Sequence, residues 1–413
     1  MKEVTTMPPK LSEIDLTESE LYRNGFPHDV FSVLRSEAPV WRHPETKGFK
    51  ETGGEGFWVL SKYKDIREAN RKSDIFLSEL GPGLGYEGTG FMLTDMDGSP
   101  HLRQRKLISS GFTPRMTRRL EDQARQWAVK IVDEALARES VEFVQDVAYQ
   151  LPMHMIADIL GIPEEDRSWL FALTNDMLLC IDPEHPVPES RREELAAQIF
   201  GYGQQISNKK RADAKDDILS LLVGVEDELG RLNDLELDGF FMLLTVAGSE
   251  TTRNAIAGGL KQFLSQPEQL EALRRDPSLL KSATEEVIRW TSPVAYFKRL
   301  VGEDTEIGGV PIQKGEKVTL WYPSGNRDEA AFDDPFRFDI RRQRNEHIAF
   351  GGGGPHFCLG AHLARREITI LFEELLRRTS EIELIGEPTY SVLGIGNPIL
   401  VSLGQLPVRL KPA

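Results

Sequence analysis

One cysteine closes a run of glycines, in Phe350-Gly-Gly-Gly-Gly-Pro-His-Phe-Cys358-Leu-Gly360. A helical pattern starting at Leu359 places its sulfur beside unpaired backbone N–H groups and the positive end of a helix dipole, which favour the thiolate. A thiolate is a nucleophile or a metal ligand, and a bound metal ion stabilises it further. The four glycines and Gly360 lack the Cβ atoms that would hold the main chain off a flat group, and they permit positive φ. By itself, a cysteine beside a glycine run is equally a buried structural thiol or the end of an ordinary turn. A zinc site from His356 and Cys358 fits poorly, because no further ligand cluster at zinc-like spacing accompanies them.

A second constellation is Ala247-Gly-Ser-Glu250-Thr251-Thr252, set in an apolar stretch. Acid and hydroxyl side chains cost free energy to bury and compete for backbone hydrogen bonds, and Gly248 costs roughly 1 kcal/mol against Ala in a helix. Such a conflict of local rules marks a site, and an acid beside a hydroxyl can pass protons. Alone, Ser-Glu-Thr-Thr is common on surface helices. His101 and Arg105, four apart, share a helix face; they make either a solvated face or a pair that grips a carboxylate by charge-assisted bonds.

Helical patterns must position these groups: Ser61–Lys72, Pro100–Ser110 with Ser99 as N-cap, Pro114–Arg138, Glu164–Leu179, Asp216–Glu226, Asp234–Gln266, Ser278–Trp290 and Leu359–Arg378. The pattern from Asp234 predicts a helix about 45–50 Å long, enough to cross a domain. Strand-like pieces at Gly56–Leu60, Thr305–Ile307, Lys317–Tyr322 and Ile399–Leu403 are short and bounded by turn signals. The expected architecture is mainly α with small peripheral sheets. No linker or internal repeat divides the 413 residues, so a single domain over 1–413 is expected. Three prolines between Asp182 and Pro188 interrupt the helices.

The cysteine loop is similar to that of the cytochrome P450 monooxygenases, whose haem iron takes an axial cysteine thiolate. The resemblance covers roughly residues 90 to 410 and implies the P450 fold, haem b, and Cys358 as iron ligand. The family usually has an aromatic residue seven positions before the cysteine; here that position is Gly351, and Phe350 lies one place earlier. Residues 247–252 resemble the family's small-Gly-x-acid-Thr signature, in which the helix loosens to admit dioxygen and water. By that match Ala247 and Gly248 lie against the haem, Thr251 hydrogen-bonds the oxygen being activated, and Glu250 relays protons. His101, Arg105, Arg299 and His356 match positions that bind haem propionates. Glu286-x-x-Arg289, with Arg337 of Pro335-Phe-Arg-Phe338, matches a buried ionic network. Phe91, Leu93, Leu243, Val294, Tyr296 and Ile395, with Ala247, resemble distal-pocket positions, and segment 182–188 is either part of a mobile lid or a plain surface loop.

These likenesses imply an enzyme that hydroxylates an unactivated C–H bond of a hydrophobic substrate, using dioxygen and electrons from a ferredoxin–reductase pair. Gly248 to Ala255, Ser324 to Glu329 and the extra glycine look most like bacterial hydroxylases of methyl-branched lipids, sterol side chains or terpenoids. The alternatives are a peroxygenase using hydrogen peroxide and a haem-binding sensor or carrier without turnover. A net charge of −15 argues against a nucleic-acid surface. Local basic clusters (Arg103, Arg105, Lys106, Arg115, Arg118, Arg119; Arg341, Arg342, Arg344, Arg365, Arg366) could dock an acidic electron carrier. Two cysteines in unrelated contexts fit a reducing compartment. The polar stretch Met1 to Thr17 and the short apolar run Phe240 to Ala247 predict no membrane anchor and a cytoplasmic protein.

Overall fold

The apolar pattern around Phe240 folds as one helix, Asp234–Ser265, in a computed structural model that describes residues 10–44, 56–180, 182, 187–394 and 398–413. A reciprocal capping box starts it: Asn233 Oδ1 accepts from Glu236 N at 3.0 Å, and Glu236 Oε2 accepts from Asn233 N at 2.8 Å. Helices Gln150–Leu160, Arg192–Ala212 and Leu280–Thr291 pack around it. Close approach is set by glycine: a Cβ on Gly248 would lie 2.3 Å from Ile156, and one on Gly259 would lie 2.8 Å from Val287. One hydrophobic cluster joins residues from Leu93 to Leu410. Each fully buried Leu, Ile or Phe in it stabilises the fold by about 1.5–3 kcal/mol.

The architecture is mainly helical with small separate sheets. Helix Glu164–Leu179 spans the residues expected, and Pro114–Leu136 ends two residues early. The pattern at 216–226 shortens to Ile218–Leu222. There Asp217 caps the start, its Oδ1 accepting from Ser220 N at 2.8 Å, and Glu226–Asp227 turns instead into a hairpin with Gly230–Arg231. Gln150–Leu160 escapes the periodicity reading because it is apolar on most sides. Among the described residues no helix is long and apolar enough to cross a membrane. Of the segment 182–188, residues 183–186 lie outside the described residues.

The largest sheet runs 40–43, 57–60, 317–321, 296–301, 76–77. Strand Lys317–Trp321 pairs parallel with Phe57–Leu60 and antiparallel with Tyr296–Val301, where Lys298 faces Thr319. Side chains alternate across a strand. Phe297 and Arg299 therefore turn to one face and Tyr296 and Lys298 to the other. The second pair holds the loop 80–86: Tyr296 Oη accepts from Leu84 N at 3.1 Å, and Lys298 Nζ donates to Leu80 O at 2.7 Å and Tyr86 O at 2.8 Å.

Candidate active site

The four loop glycines all take positive φ: 99° at Gly351, 66° at Gly352, 112° at Gly353 and 81° at Gly354. Only glycine adopts such a run without strain, and a Cβ on Gly354 would lie 2.3 Å from the Asn70 carbonyl oxygen. The bulge closes with Cys358 N donating to Phe350 O at 3.0 Å. Phe350 lines the cavity beside the cysteine, and the Arg365 guanidinium sits 4.5 Å from its ring centre. The helix itself begins at Ala361, two residues later than the sequence pattern indicates, with Gly360 as N-cap. Cys358 therefore precedes the helix. Its exposed side chain faces a cavity enclosed by protein, so burial pushes the thiol pKa up. Hydrogen bonding from the Gly360 and Ala361 amides and the charges of Arg105 and Arg365 pull it back. The other cysteine, Cys180, does not line this cavity; its Sγ lies 3.3 Å from Asp176 O.

The long helix forms the opposite wall. It continues as α-helix through residues 247–252, where the family resemblance implies loosening, and its hydroxyls bond back to their own helix. Thr245 donates to Phe241 O at 2.8 Å, Ser249 to Thr245 O at 3.0 Å, and Thr251 to Ala247 O at 2.9 Å. Ala247, Gly248, Thr251 and Thr252 line the cavity. Glu250 does not. It is fully buried on another face, 2.5 Å from Arg253 Nη2. Burial raises its pKa and Arg253 opposes the rise.

His101, Arg105, Arg299 and His356 meet on one rim of the cavity. The two imidazoles stack with centres 4.1 Å apart. His356 Nε2 lies 3.1 Å from Asp97 Oδ1 and 3.2 Å from Ser78 Oγ. Asp97, rather than Ser99, is the N-cap of helix Gly98–Ser110, and its Oδ2 accepts from Ser78 N at 2.5 Å. Burial, then the charges of His356 and Arg105, push His101 down to about 4, and its buried Nε2 lacks a hydrogen-bond partner among the described residues. Arg105 donates to Phe357 O, and Arg299 Nη1 to Lys298 O at 2.8 Å. Two cations and an orphaned imidazole nitrogen at the edge of an apolar cavity that a thiol also lines suit a flat group carrying carboxylates and a metal. A haem matches that donor set.

Other expected residues fall differently. Leu93, Leu243 and Val294 line the cavity, whereas Phe91 packs on Phe200 and against Gly239. Tyr296 points away on its strand, and Phe297 takes the wall position. Ile395 lies outside the described residues. Glu286 and Arg289 form a fully buried bidentate pair, with bonds of 2.8 Å each. Arg337 is exposed and contributes only its carbonyl; the third charged member is Arg342, 3.1 Å from Glu286, because the loop brings residue 342 back over the pair. Phe240, Thr94 and Glu367 also line the cavity and were not foreseen. The signal for Glu367 was present in the stripe Gly360, Leu363, Ala364, Glu367, Ile368, which has helical spacing.

The sequence model of the Cytochrome P450 family matches residues 50–381. The chain belongs to the cytochrome P450 family. It is 37% identical to the steroid C26-monooxygenase of Rhodococcus jostii (strain RHA1), over 94% of this chain and 83% of that one. It is 38% identical to the methyl-branched lipid omega-hydroxylase of Mycobacterium tuberculosis, over 93% and 92%. Among solved structures, a Mycobacterium marinum cytochrome P450, CYP268A2, in complex with pseudoionone superposes with a TM-score of 0.88 at 34% identity, covering 98% of this chain and all of the other. This cytochrome P450 is accordingly a haem-thiolate monooxygenase, with haem b as cofactor.

Proposed function

We propose that this P450 hydroxylates an unactivated C–H bond of a branched-lipid, steroid or terpenoid substrate, with electrons from a ferredoxin–reductase pair. The carrying observation is that Cys358 and the back-bonded hydroxyl of Thr251 on the long helix line one apolar cavity rimmed by His101, Arg105, Arg299 and His356. Bound haem would supply dioxygen activation, which a cysteine thiolate ligand favours. Cys358 is the ligand, and the rim residues hold the propionates, with Asp97 orienting His356. Ala247 and Gly248 leave room at the haem face. Thr251 Oγ1 would hold a proton at the cavity wall once it released Ala247 O. Glu250 can act as relay only by leaving Arg253.

Leu93, Phe240, Leu243, Leu244, Val294 and Phe297 offer the substrate apolar area, and Thr94 offers a single hydroxyl beside them. The names of the steroid and methyl-branched lipid relatives support that class. Within the basic clusters, Arg103, Arg119, Arg342, Arg365 and Arg366 are engaged in ion pairs. Helix Tyr63–Arg71 adds Lys64, Arg67 and Arg71 beside the glycine loop, a surface that fits an acidic carrier. The test is an optical titration of the ferric holoprotein with branched fatty acids, sterol ketones and terpenoids, followed by turnover with a ferredoxin pair. A saturable low-to-high-spin shift and coupled product are expected for one class. Product with hydrogen peroxide but none with any electron donor would replace this reading by the peroxygenase. In Cys358→Ser, a reduced carbon-monoxide complex that kept its strongly red-shifted Soret band would remove the ligand assignment.

A further inference from the structure

Glu367 belongs to the cavity wall but to none of the roles above. It sits on helix Ala361–Arg378 in the stripe that faces the cavity from the cysteine side. Its side chain is buried, with 2% of the residue exposed, and Oε2 has no hydrogen-bond partner among the described residues. Neighbouring apolar residues, Leu363, Ile368 and Ile288, cannot solvate a carboxylate. Burial alone pushes its carboxyl pKa up to about 8.

Many charges on the packed elements are engaged elsewhere, and burial is the only influence on the Glu367 carboxyl, with no charge partner beside it among the described residues. On Pro114–Leu136, Glu121 pairs with Arg366, Arg125 with Glu373 and Glu374, and Asp133 with Arg378. On Leu280–Thr291, Glu285 pairs with Arg365 and His347, and Glu286 with Arg289 and Arg342. Glu250 of the long helix pairs with Arg253, and His154 of Gln150–Leu160 stacks on Trp127. On strand Thr379–Leu384, Glu381 pairs with Lys411 and Glu383 with Arg409. Around the same cavity stand Cys358, His101, Arg105, Arg299 and His356. Both histidines are lowered, so they stay neutral where Glu367 titrates.

We propose that Glu367 is the proton acceptor coupled to electron uptake: an electron delivered to the iron draws one solvent proton onto the Glu367 carboxylate. The inference rests on the haem-thiolate reading of this cavity. The electron comes from the redox partner; one O–H bond forms on Glu367 as one O–H bond of a solvent donor breaks, hydronium leaving water or water leaving hydroxide. The physical cause is that an added negative charge in a low-dielectric cavity disfavours a second one beside it, so proton affinity rises on reduction.

The test is the ferric/ferrous midpoint potential of the holoprotein, followed by spectroelectrochemistry from about pH 6 to about pH 10. The potential is expected to be nearly flat below about pH 8 and to fall above it. The limiting slope is about 59 mV per pH unit, the one-electron equivalent of a tenfold change. Glu367→Gln should flatten the profile, and Glu367→Asp should restore part of the slope. A flat wild-type profile, or an unchanged slope in Glu367→Gln, overturns the inference. If the variants do not fold, reduced-minus-oxidised infrared spectra of wild-type protein carrying carbon-13-labelled glutamate decide it near pH 9. A gained, isotope-shifted carboxylic-acid C=O band supports the inference, and its absence refutes it. A normal thiolate-type carbon-monoxide spectrum with a flat potential removes Glu367 alone; loss of that spectrum from the wild type removes the haem-thiolate reading.

Discussion

The two walls of the cavity are held by different forces. On the cysteine side, four positive-φ glycines, the fully buried Glu286–Arg289 pair with Arg342 over it and the Glu285–Arg365 pair fix the loop by backbone conformation and charge. On the facing side, hydroxyls are satisfied within their own helix, and Leu243, Leu244 and Phe240 present half-buried or buried apolar surface. Ionic networks tolerate little change, because losing one partner strands a buried charge. Apolar walls tolerate exchange of similar volumes. The cysteine side is thus specified for one chemistry, while the facing side is free to diverge with substrate.

The most severe break of this contrast is Glu286→Ala, which leaves Arg289 buried without its bidentate partner. It should destabilise the protein by roughly 3–5 kcal/mol, read from the denaturant midpoint of the holoprotein. A loss below about 1 kcal/mol would mean that the cysteine wall is not held by charge. Glu367 is the exception on that wall, and Glu367→Gln sharpens the comparison. The wild-type carboxyl is raised from 4.5 to about 8, so the folded state binds more protons than the unfolded state between those values. Wild-type stability therefore falls as pH rises from about 5 to about 8. At about 1.4 kcal/mol per unit the upper bound is some 4–5 kcal/mol, and about 2–3 is expected once the wall relaxes. The amide removes this dependence, so its thermal midpoint should gain on the wild type as pH rises, and parallel curves would contradict the placement. The smallest effect belongs to Leu243→Ala on the facing wall. It should cost stability about 1 kcal/mol or less while changing ligand affinity around tenfold, measured by spin-state titration alongside denaturation.

The cysteine loop and the main helices were legible because their signals are local: a fixed spacing, a capping residue, a periodic face. The residues misplaced were those whose position depends on distant pairing. Tyr296 and Phe297 are adjacent in sequence, and only the pairing of Lys298 with Thr319 decides which of them reaches the cavity. Arg337 and Arg342 lie close together in one stretch far from Glu286 in sequence, and only the loop path brings Arg342 rather than Arg337 onto the carboxylate. Glu250 and Thr251 are about 100° apart around a helix, so one side chain faces the cavity and the other does not. Glu367 repeated the spacing of its apolar neighbours, yet its isolation from every cation is a three-dimensional fact.

Strand Tyr296–Val301 has a consequence for how such a cavity can be altered through descent or design. Its one face supplies Phe297 and Arg299 to the wall, while its other face anchors Leu80, Leu84 and Tyr86 of the loop that carries Pro82 to the same cavity. An insertion between 80 and 86 would have to break those three tethers. Length variation is therefore channelled away from residues 80–86, whose tethers share a strand with Arg299.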